Sequence, residues 1–336
     1  MAYERTLNQI NGFIKDKVVP GVSYSIIDGS NLISDTLGYQ ELVPKKEVLV
    51  AGEQYDLASL TKVVGTTNEI LLLLSQGKLR LSDSVSKYLA EWEYPQVTIR
   101  HLLTHTSDLV GYIPRRDDLP KDDLLYAILH LGVGKNFGRL IHYQDYNFIL
   151  LGLIAKQITG KPIQTLVEQN ILAPLELKQT TFHPQSPENV VPTTYNELTH
   201  KLLRGIVHDP KAQTLGEDCG SAGLFSTLND LVHFSKWILS QVSYDLISQK
   251  WLDALWVDQT PQKTGGRSLG WILRHVGDHN YILHTGYTGT LIVLDKESQK
   301  GLVFLTNRIH PKENNQKFLV YRSKLIRTFI KEANGI

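Results

Sequence analysis

Ser59-Leu60-Thr61-Lys62 carries a hydroxyl and an amine three residues apart. On a helix that spacing puts both side chains on one face, so the amine lies against the oxygen that must lose its proton. The serine stands where a polar turn, Tyr55-Asp56-Leu57-Ala58, enters a helical segment. In a first helical turn, unpaired backbone N–H groups and the helix dipole favour developing negative charge. A nucleophilic serine can be made this way without a neighbouring histidine. The S-x-x-K pattern occurs three times, at Ser59, Ser75 and Ser84. Ser75 lies at the polar exit of the same helix, just before Gly77, and Ser84 follows Asp83 in a charged connection. Only Ser59 opens a helix whose body, Val63-Val64 and then residues 70–74, is apolar enough to be buried.

Two further polar clusters accompany it. His142-Tyr143-Gln144-Asp145 directly precedes the apolar Phe148-Ile149-Leu150-Leu151-Gly152, and His284-Thr285-Gly286-Tyr287-Thr288-Gly289 falls on an expected strand. In the order S-x-x-K, Y-x-[ND], [KH]-T-G, the three clusters resemble the motif set of the serine β-lactamase and penicillin-binding protein superfamily. The tyrosine in the second cluster resembles class C β-lactamases, low-molecular-weight D,D-peptidases and related esterases. Residues 97–107 are similar to a helix of that family. His208-Asp209-Pro210, Leu215-Gly216 and residues 220–227 are similar to its later segment. The resemblance runs from about Pro20 to Asn307.

The resemblance implies a serine hydrolase that acts through an acyl-enzyme on an ester or amide. D-amino-acid peptidase or D,D-carboxypeptidase, true β-lactamase and non-catalytic penicillin-binding or regulatory module are the alternatives. Ser59 Oγ would attack the carbonyl carbon. Lys62, if partly desolvated, would have a lowered pKa and relay a proton, and Tyr143 would shuttle it to the leaving group. By resemblance the oxyanion hole would be the backbone N–H groups of Ser59 and Tyr287. Asp145, His284, Thr285 and Gly286 would contact substrate. Asp145 stands where class C enzymes carry Asn, which puts an anion beside Lys62 and should hold it protonated. His284 replaces a lysine, so the charge that would meet a substrate anion becomes conditional on pH. Both changes argue against an efficient β-lactamase and fit an esterase or peptidase-like homologue better.

Of the 336 residues, 42% are hydrophobic and 21% charged, with formal net charge +1. That is a globular composition, long enough to bury a core without disulfides or metals. Nothing in it points to nucleic acid or an anionic membrane. The single cysteine, Cys219, excludes an intrachain disulfide. It has no Cys/His signature around it and reads as a passive thiol. The chain starts Met1-Ala2-Tyr3-Glu4-Arg5 and continues as an amphipathic helix with Leu7, Ile10 and Ile14. It shows no signal-peptide core, and no apolar run reaches ~18 residues, so a cytoplasmic protein without a membrane segment is expected. His101 and His105 stand four apart like metal ligands, but no H-E-x-x-H glutamate accompanies them. A capped or core pair is expected, with no metal and no cofactor. The expected partner is a small-molecule ester, amide or β-lactam, and no oligomeric state is specified.

The elements that must position these groups follow from periodicity. Residues 22–27, 32–33 and 38–39 read as an N-terminal hairpin or meander. Helices are expected over 63–75, 99–104, 122–131, 147–158 and 228–240, with a last one over 317–331. Strands are expected over 269–273, 281–284, 290–294 and 301–306. With strands at both ends and helices between, the expectation is an α+β fold. One antiparallel sheet is flanked by helices on both faces, built from residues 1–60 and 215–336. A mostly helical domain, residues 61–214, is inserted, with the site in the cleft between. Residues 220–223 should line that cleft, whereas Tyr112 and Trp271 read better as packing aromatics than as cleft residues.

Overall fold

Residues 291–295 and 300–306 are apolar at nearly every position, which is what a strand buried on both faces requires. The computed structural model describes residues 3–263 and 265–336; Met1 and Ala2, at the head of the expected first segment, lie outside them. In chain order the elements are α1 (Glu4–Lys15), β1 (Gly21–Asp28), β2 (Asn31–Glu41), β3 (Glu47–Val48), β4 (Tyr55–Asp56), α2 (Thr67–Ser75), α3 (Ile99–Leu103) and β5 (Leu109–Val110). Next come α4 (Lys121–Leu129), β6 (Gly132–Val133), α5 (Tyr146–Thr159), α6 (Ile163–Val167), β7 (Tyr195–Asn196), β8 (Lys201–Leu202), α7 (Pro210–Leu215) and β9 (Phe225–Ser226). The chain ends with α8 (Leu228–Ile238), α9 (Gln249–Ala254), β10 (Ile272–Val276), β11 (His279–Thr285), β12 (Leu291–Asp295), β13 (Lys300–Thr306) and α10 (Gln316–Ala333).

Seven strands form one antiparallel sheet in the order β10-β11-β12-β13-β1-β2-β3, so the two ends of the chain meet at the β13–β1 pair. Its register sorts the side chains. Leu283 opposes Val293 and Val293 opposes Leu302, and all three pack with Phe13, Phe318 and Phe329 of α1 and α10. Ile282, Leu294, Val303 and Leu305 face the other way, into the core shared with α2, α5, α6 and α8. Because side chains alternate along a strand, His284, paired with Ile292, lies on that second face, toward the core shared with α2, α5, α6 and α8. The fold is therefore α+β, with helices on both faces of the sheet. Among the described residues, no helix is long and apolar enough to cross a membrane.

Three boundaries differ from the sequence expectation. The strand expected over 269–273 starts at Ile272. Gly270 has φ +78 and donates to Leu103 O, a turn in which a Cβ would collide with Thr67. Tyr55 and Asp56, expected in a polar turn, form a buried strand paired with β9. The long helix does not begin as an α-helix at Ser59. Ala58–Leu60 form a 3₁₀ turn, Lys62–Thr66 a π-helical turn, and α2 follows. Asn68 Nδ2 bonds both Val63 O and Val64 O at 2.9 Å, supplying donors to carbonyls in the widened turn.

Glu69, one residue further on, is fully buried with Asn170 Nδ2 as its hydrogen-bond partner, at 3.2 and 3.3 Å. Burial pushes its carboxyl up to about 7, and Asn170 and Lys78 reverse this only in part. An acid whose folded pKa is raised contributes stability that is present at low pH and lost as pH rises through the folded value. Ionising Glu69 should thus cost the fold up to ~3 kcal/mol. Glu69→Gln is expected to melt above the wild type at about pH 8 and to converge with it near pH 5. An equal difference in Tm at both pH values would refute this.

Candidate active site

The turn carrying Ser59 is held from three sides. Asp56 accepts the Ala58 N–H through Oδ1 at 2.8 Å and the His208 N–H through Oδ2 at 2.7 Å. Leu57 N–H donates to Leu224 O at 2.9 Å. Thr288 and Thr290 hydroxyls donate to the carbonyls of Asp56 and Leu57. Ala58 sits at φ +46, a left-handed conformation that costs energy for a non-glycine residue, and these bonds hold it there. A Cβ on Gly286 would lie 2.6 Å from Leu57 O, so the close approach of the H-T-G strand to the serine turn requires glycine. Burial of Asp56 pushes its carboxyl up to about 6, partly offset by the two N–H bonds.

Lys62 is fully buried, and its ammonium has an acceptor for each N–H. Ser59 Oγ, Ser221 O and Asp145 Oδ1 all lie at 2.8 Å. Burial pulls its pKa down, but the Asp145 charge, followed by Tyr143, outweighs burial and leaves it raised. Lys62 is desolvated, but its pKa is not lowered as that alone would require; Asp145 keeps it protonated, as expected of an anion at that position. Asp145 turns the site's lysine into a fixed cation that donates to Ser59. Burial raises Asp145 in turn, but Lys62 and then Lys211 outweigh it and hold the carboxyl well below its usual range. Lys211 Nζ bridges Asp145 Oδ2 at 3.2 Å and Asp209 Oδ2 at 2.8 Å. A chain of alternating charge thus runs from Ser59 through Lys62, Asp145 and Lys211 to Asp209.

Tyr143, 40% exposed, donates its hydroxyl to Ser59 Oγ at 2.8 Å. Its ring packs on His105, with centroids 4.5 Å apart, and faces Lys62 Nζ and the Arg267 guanidinium at 5.4 and 5.5 Å. His105 Nδ1 accepts from Gln144 N–H and pairs with Asn147 Nδ2, whose own oxygen is held by Ser107. Burial, followed by the Arg267 and Lys62 charges, keeps His105 neutral. His101 is bonded to Thr98 at the head of α3. The two histidines serve a helix cap and the tyrosine's mount. Cys219 is buried and its thiol pushed up by that burial. Trp271 is fully buried in the main core, whereas Tyr112 is exposed.

Ser59, Tyr143, Asp145, His284, Thr285, Gly286 and Tyr287 line one cleft of about 840 Å³. Ala222 lines it too, and Ser221 reaches Lys62 from behind. Tyr287 N–H has no acceptor among the described residues, and the next residue, Thr288, donates to Asp56 O of the serine turn. His284 does not supply the pH-dependent charge expected of it. It is buried, its Nδ1 pairs with Thr285 O at 3.1 Å, and burial followed by Arg267 and Lys62 holds it neutral. The cation facing this part of the cleft is Arg267, which sequence reasoning missed. Burial lowers it to about 10, so it stays charged at neutral pH, and its Nη1 is buried without a partner. Nothing local marked it: it follows Gly265-Gly266 in a polar loop, and only the tertiary fold leaves it without a carboxylate. The arrangement can ionise a serine beside a fixed ammonium, move a proton through a phenol and hold an anion on a guanidinium.

The family model described as Beta-lactamase matches residues 7–324. The chain is similar to an N-acetylmuramyl-L-alanine amidase of Bacillus subtilis (strain 168), 26% identical over 94% of this chain and 85% of that protein. Its structure is similar to that of a beta-lactamase/D-alanine carboxypeptidase from Pseudomonas syringae, with TM-score 0.79 and 18% identity over 98% of this chain and 99% of the other. It is also similar to a D-amino acid amidase from Ochrobactrum anthropi SV3, with TM-score 0.69 and 20% identity over 96% and 99% of the two chains.

Proposed function

The chain belongs to the beta-lactamase family and is a serine hydrolase of that superfamily, and from this premise we propose that Ser59 is acylated by an amide whose leaving amine is an amino acid with a free carboxylate. The observation that carries the reading is the meeting of Lys62 Nζ and Tyr143 OH on Ser59 Oγ, each at 2.8 Å. Ser59 Oγ attacks the carbonyl carbon. The Tyr143 oxygen takes the serine proton as it gives its own to the leaving nitrogen. The Lys62 ammonium stabilises charge on the serine oxygen, and the Ser59 and Tyr287 N–H groups would stabilise the tetrahedral oxyanion by ~3 kcal/mol. Water then attacks the acyl-enzyme over the same phenol.

The substrate class rests on Arg267. A buried guanidinium with an unpartnered Nη1 is suited to a carboxylate, and His284, held neutral, is free to accept a hydrogen bond through its unpartnered Nε2. The Bacillus subtilis amidase is named for N-acetylmuramyl-L-alanine, an amide with an amino acid on its amine side. Ester cleavage by the same route is the second reading, since the proton path is indifferent to the leaving atom.

Intact-mass spectrometry after treatment with a fluorescent penicillin and a reactive phosphonate ester should show adducts on the wild type and none on Ser59→Ala. With N-acyl-D-alanine and N-acyl-L-alanine as substrates, Arg267→Gln should raise KM ~10- to 100-fold and leave the corresponding alaninamides unaffected. In the wild type, KM for the acids should stay level from about pH 5 to 8, because a guanidinium does not titrate there. No adduct with either probe and no turnover of acids, amides or p-nitrophenyl esters would overturn the hydrolase. Equal KM for acids and amides would overturn the role of Arg267.

A further inference from the structure

Beyond Tyr287 the same cleft is lined by Leu319, Glu313, Arg308 and Arg322. Arg308 is buried, and its Nε donates to Tyr287 O at 2.6 Å. Its guanidinium lies over the Tyr287 ring at 4.6 Å and the Phe318 ring at 5.7 Å. Arg322, one turn along α10 from Phe318, also lies over the Phe318 ring, at 5.6 Å. Its guanidinium has no hydrogen-bond acceptor and no carboxylate partner among the described residues. Glu313, whose charge reaches Arg308, makes no ion pair with it, its oxygens being held by His208 Nε2 at 3.1 Å and Tyr287 OH at 3.0 Å.

Two guanidiniums sharing one wall of a cleft without an ion pair are costly, since burial and mutual repulsion both work against their charge. Arg322 is accordingly pulled down to about 10, by burial and then by Arg308. Other cations in the cleft are relieved. Arg116 has Asp117 at 2.7 Å, and Lys211 has Asp145 and Asp209. We propose that Arg308 and Arg322 form a second anion subsite, so that the substrate carries a carboxylate or phosphate remote from the scissile bond in addition to the carboxylate met by Arg267. The fork of a guanidinium suits either group in bidentate fashion; Arg308 rests on the Tyr287 and Phe318 rings and Arg322 on Phe318. Selectivity would come from the pairing of two anions with two separate cation sites, and an acyl chain that is neutral at its far end would leave Arg308 and Arg322 uncompensated.

This subsite rests on the hydrolase reading for its purpose, but its occupancy is measured without turnover. Calorimetric titration of the Ser59→Ala protein with glutaryl-D-alanine, 4-phosphonobutyryl-D-alanine and butyryl-D-alanine compares a distal carboxylate, a distal phosphonate and a neutral end. At least one of the acidic ligands should bind about tenfold tighter than butyryl-D-alanine, and the tighter of the two identifies the anion. Arg322→Gln, added to Ser59→Ala, should abolish that preference and leave butyryl-D-alanine affinity unchanged, while Arg322→Lys should retain part of it. Arg322 carries the test because Arg308 also braces Tyr287. Arg322 makes no ion pair but lies over Phe318, so Arg322→Gln should lower Tm only slightly. Equal binding of all three ligands, or a preference that survives Arg322→Gln, would overturn the subsite. Failure of the wild type to turn over any amide or ester would overturn the hydrolase reading and leave this comparison standing.

Discussion

Lys62→Met is expected to lower kcat/KM for an activated ester by at least ~10³-fold, within the range of a lost proton-transfer or charge-stabilising group, and to destabilise the fold. Methionine keeps an unbranched side chain one atom shorter but removes the donors to Ser59 Oγ, Ser221 O and Asp145 Oδ1. The first loss acts on the reaction, because charge developing on the serine oxygen no longer meets an ammonium. The other losses act on stability. Breaking a buried ion pair from one side leaves a charge uncompensated at ~3–5 kcal/mol. Asp145 keeps Lys211 and is partly exposed, so the lower end of that range is expected. Lys62→Met combined with Asp145→Asn removes the orphaned charge and should regain stability without regaining activity. Urea melts and p-nitrophenyl ester kinetics on the three proteins separate the two effects. If the double variant recovers rate with stability, Lys62 acts only as a structural cation.

How much of this was legible in the sequence depends on the range over which each signal acts. The Ser59–Lys62 pair is local, and three residues of helical spacing suffice to bring Nζ to 2.8 Å from Oγ. Tyr143 and His284 are distant in sequence. Their meeting with Ser59 was readable only through the order of clusters that resembles a known family, since no periodicity brings β11 to the serine turn. The alternation in β11 to β13 was visible as continuous apolar runs. The start of β10 was displaced because the turn at Gly270 is fixed by Leu103 O and Thr67, contacts that no local pattern announces.

Charge state was the least legible property. His284 looked like a titrating anchor, but burial and two cations keep it neutral. For Lys62, burial and Asp145 pull in opposite directions, and only the fold shows that the carboxylate wins and keeps it charged. Arg267, Arg308 and Arg322 resemble any other arginines in the chain until the fold shows that carboxylates have gone to other partners. An arginine acquires a binding role through what surrounds it, and that is a tertiary property.

The same logic gives Lys211 a purpose. An anionic Asp145 next to Lys62 places a second full charge in a cleft wall, and Lys211 compensates it from the far side at 3.2 Å while also holding Asp209, the residue that caps α7. Asp145→Asn should leave Lys62 without a carboxylate and Lys211 with Asp209 alone, and Lys211→Met should leave Asp209 without its cation and Asp145 with Lys62 alone. Each is expected to cost ~2 kcal/mol. The double variant, with both charges gone, should lose less than the sum, with a coupling energy of ~1–2 kcal/mol. Activity adds a signed prediction. A lysine whose pKa is raised in the folded protein keeps its charge until pH passes the folded value, so the alkaline loss of kcat/KM should lie above about pH 10 in the wild type. Without the Asp145 charge, burial pulls Lys62 down against Tyr143 alone, and Asp145→Asn should bring that alkaline limb to lower pH. A pH–rate profile of the variant with an unmoved alkaline limb would show that Asp145 does not set the charge of Lys62. Additive single costs would show that Lys211 compensates nothing.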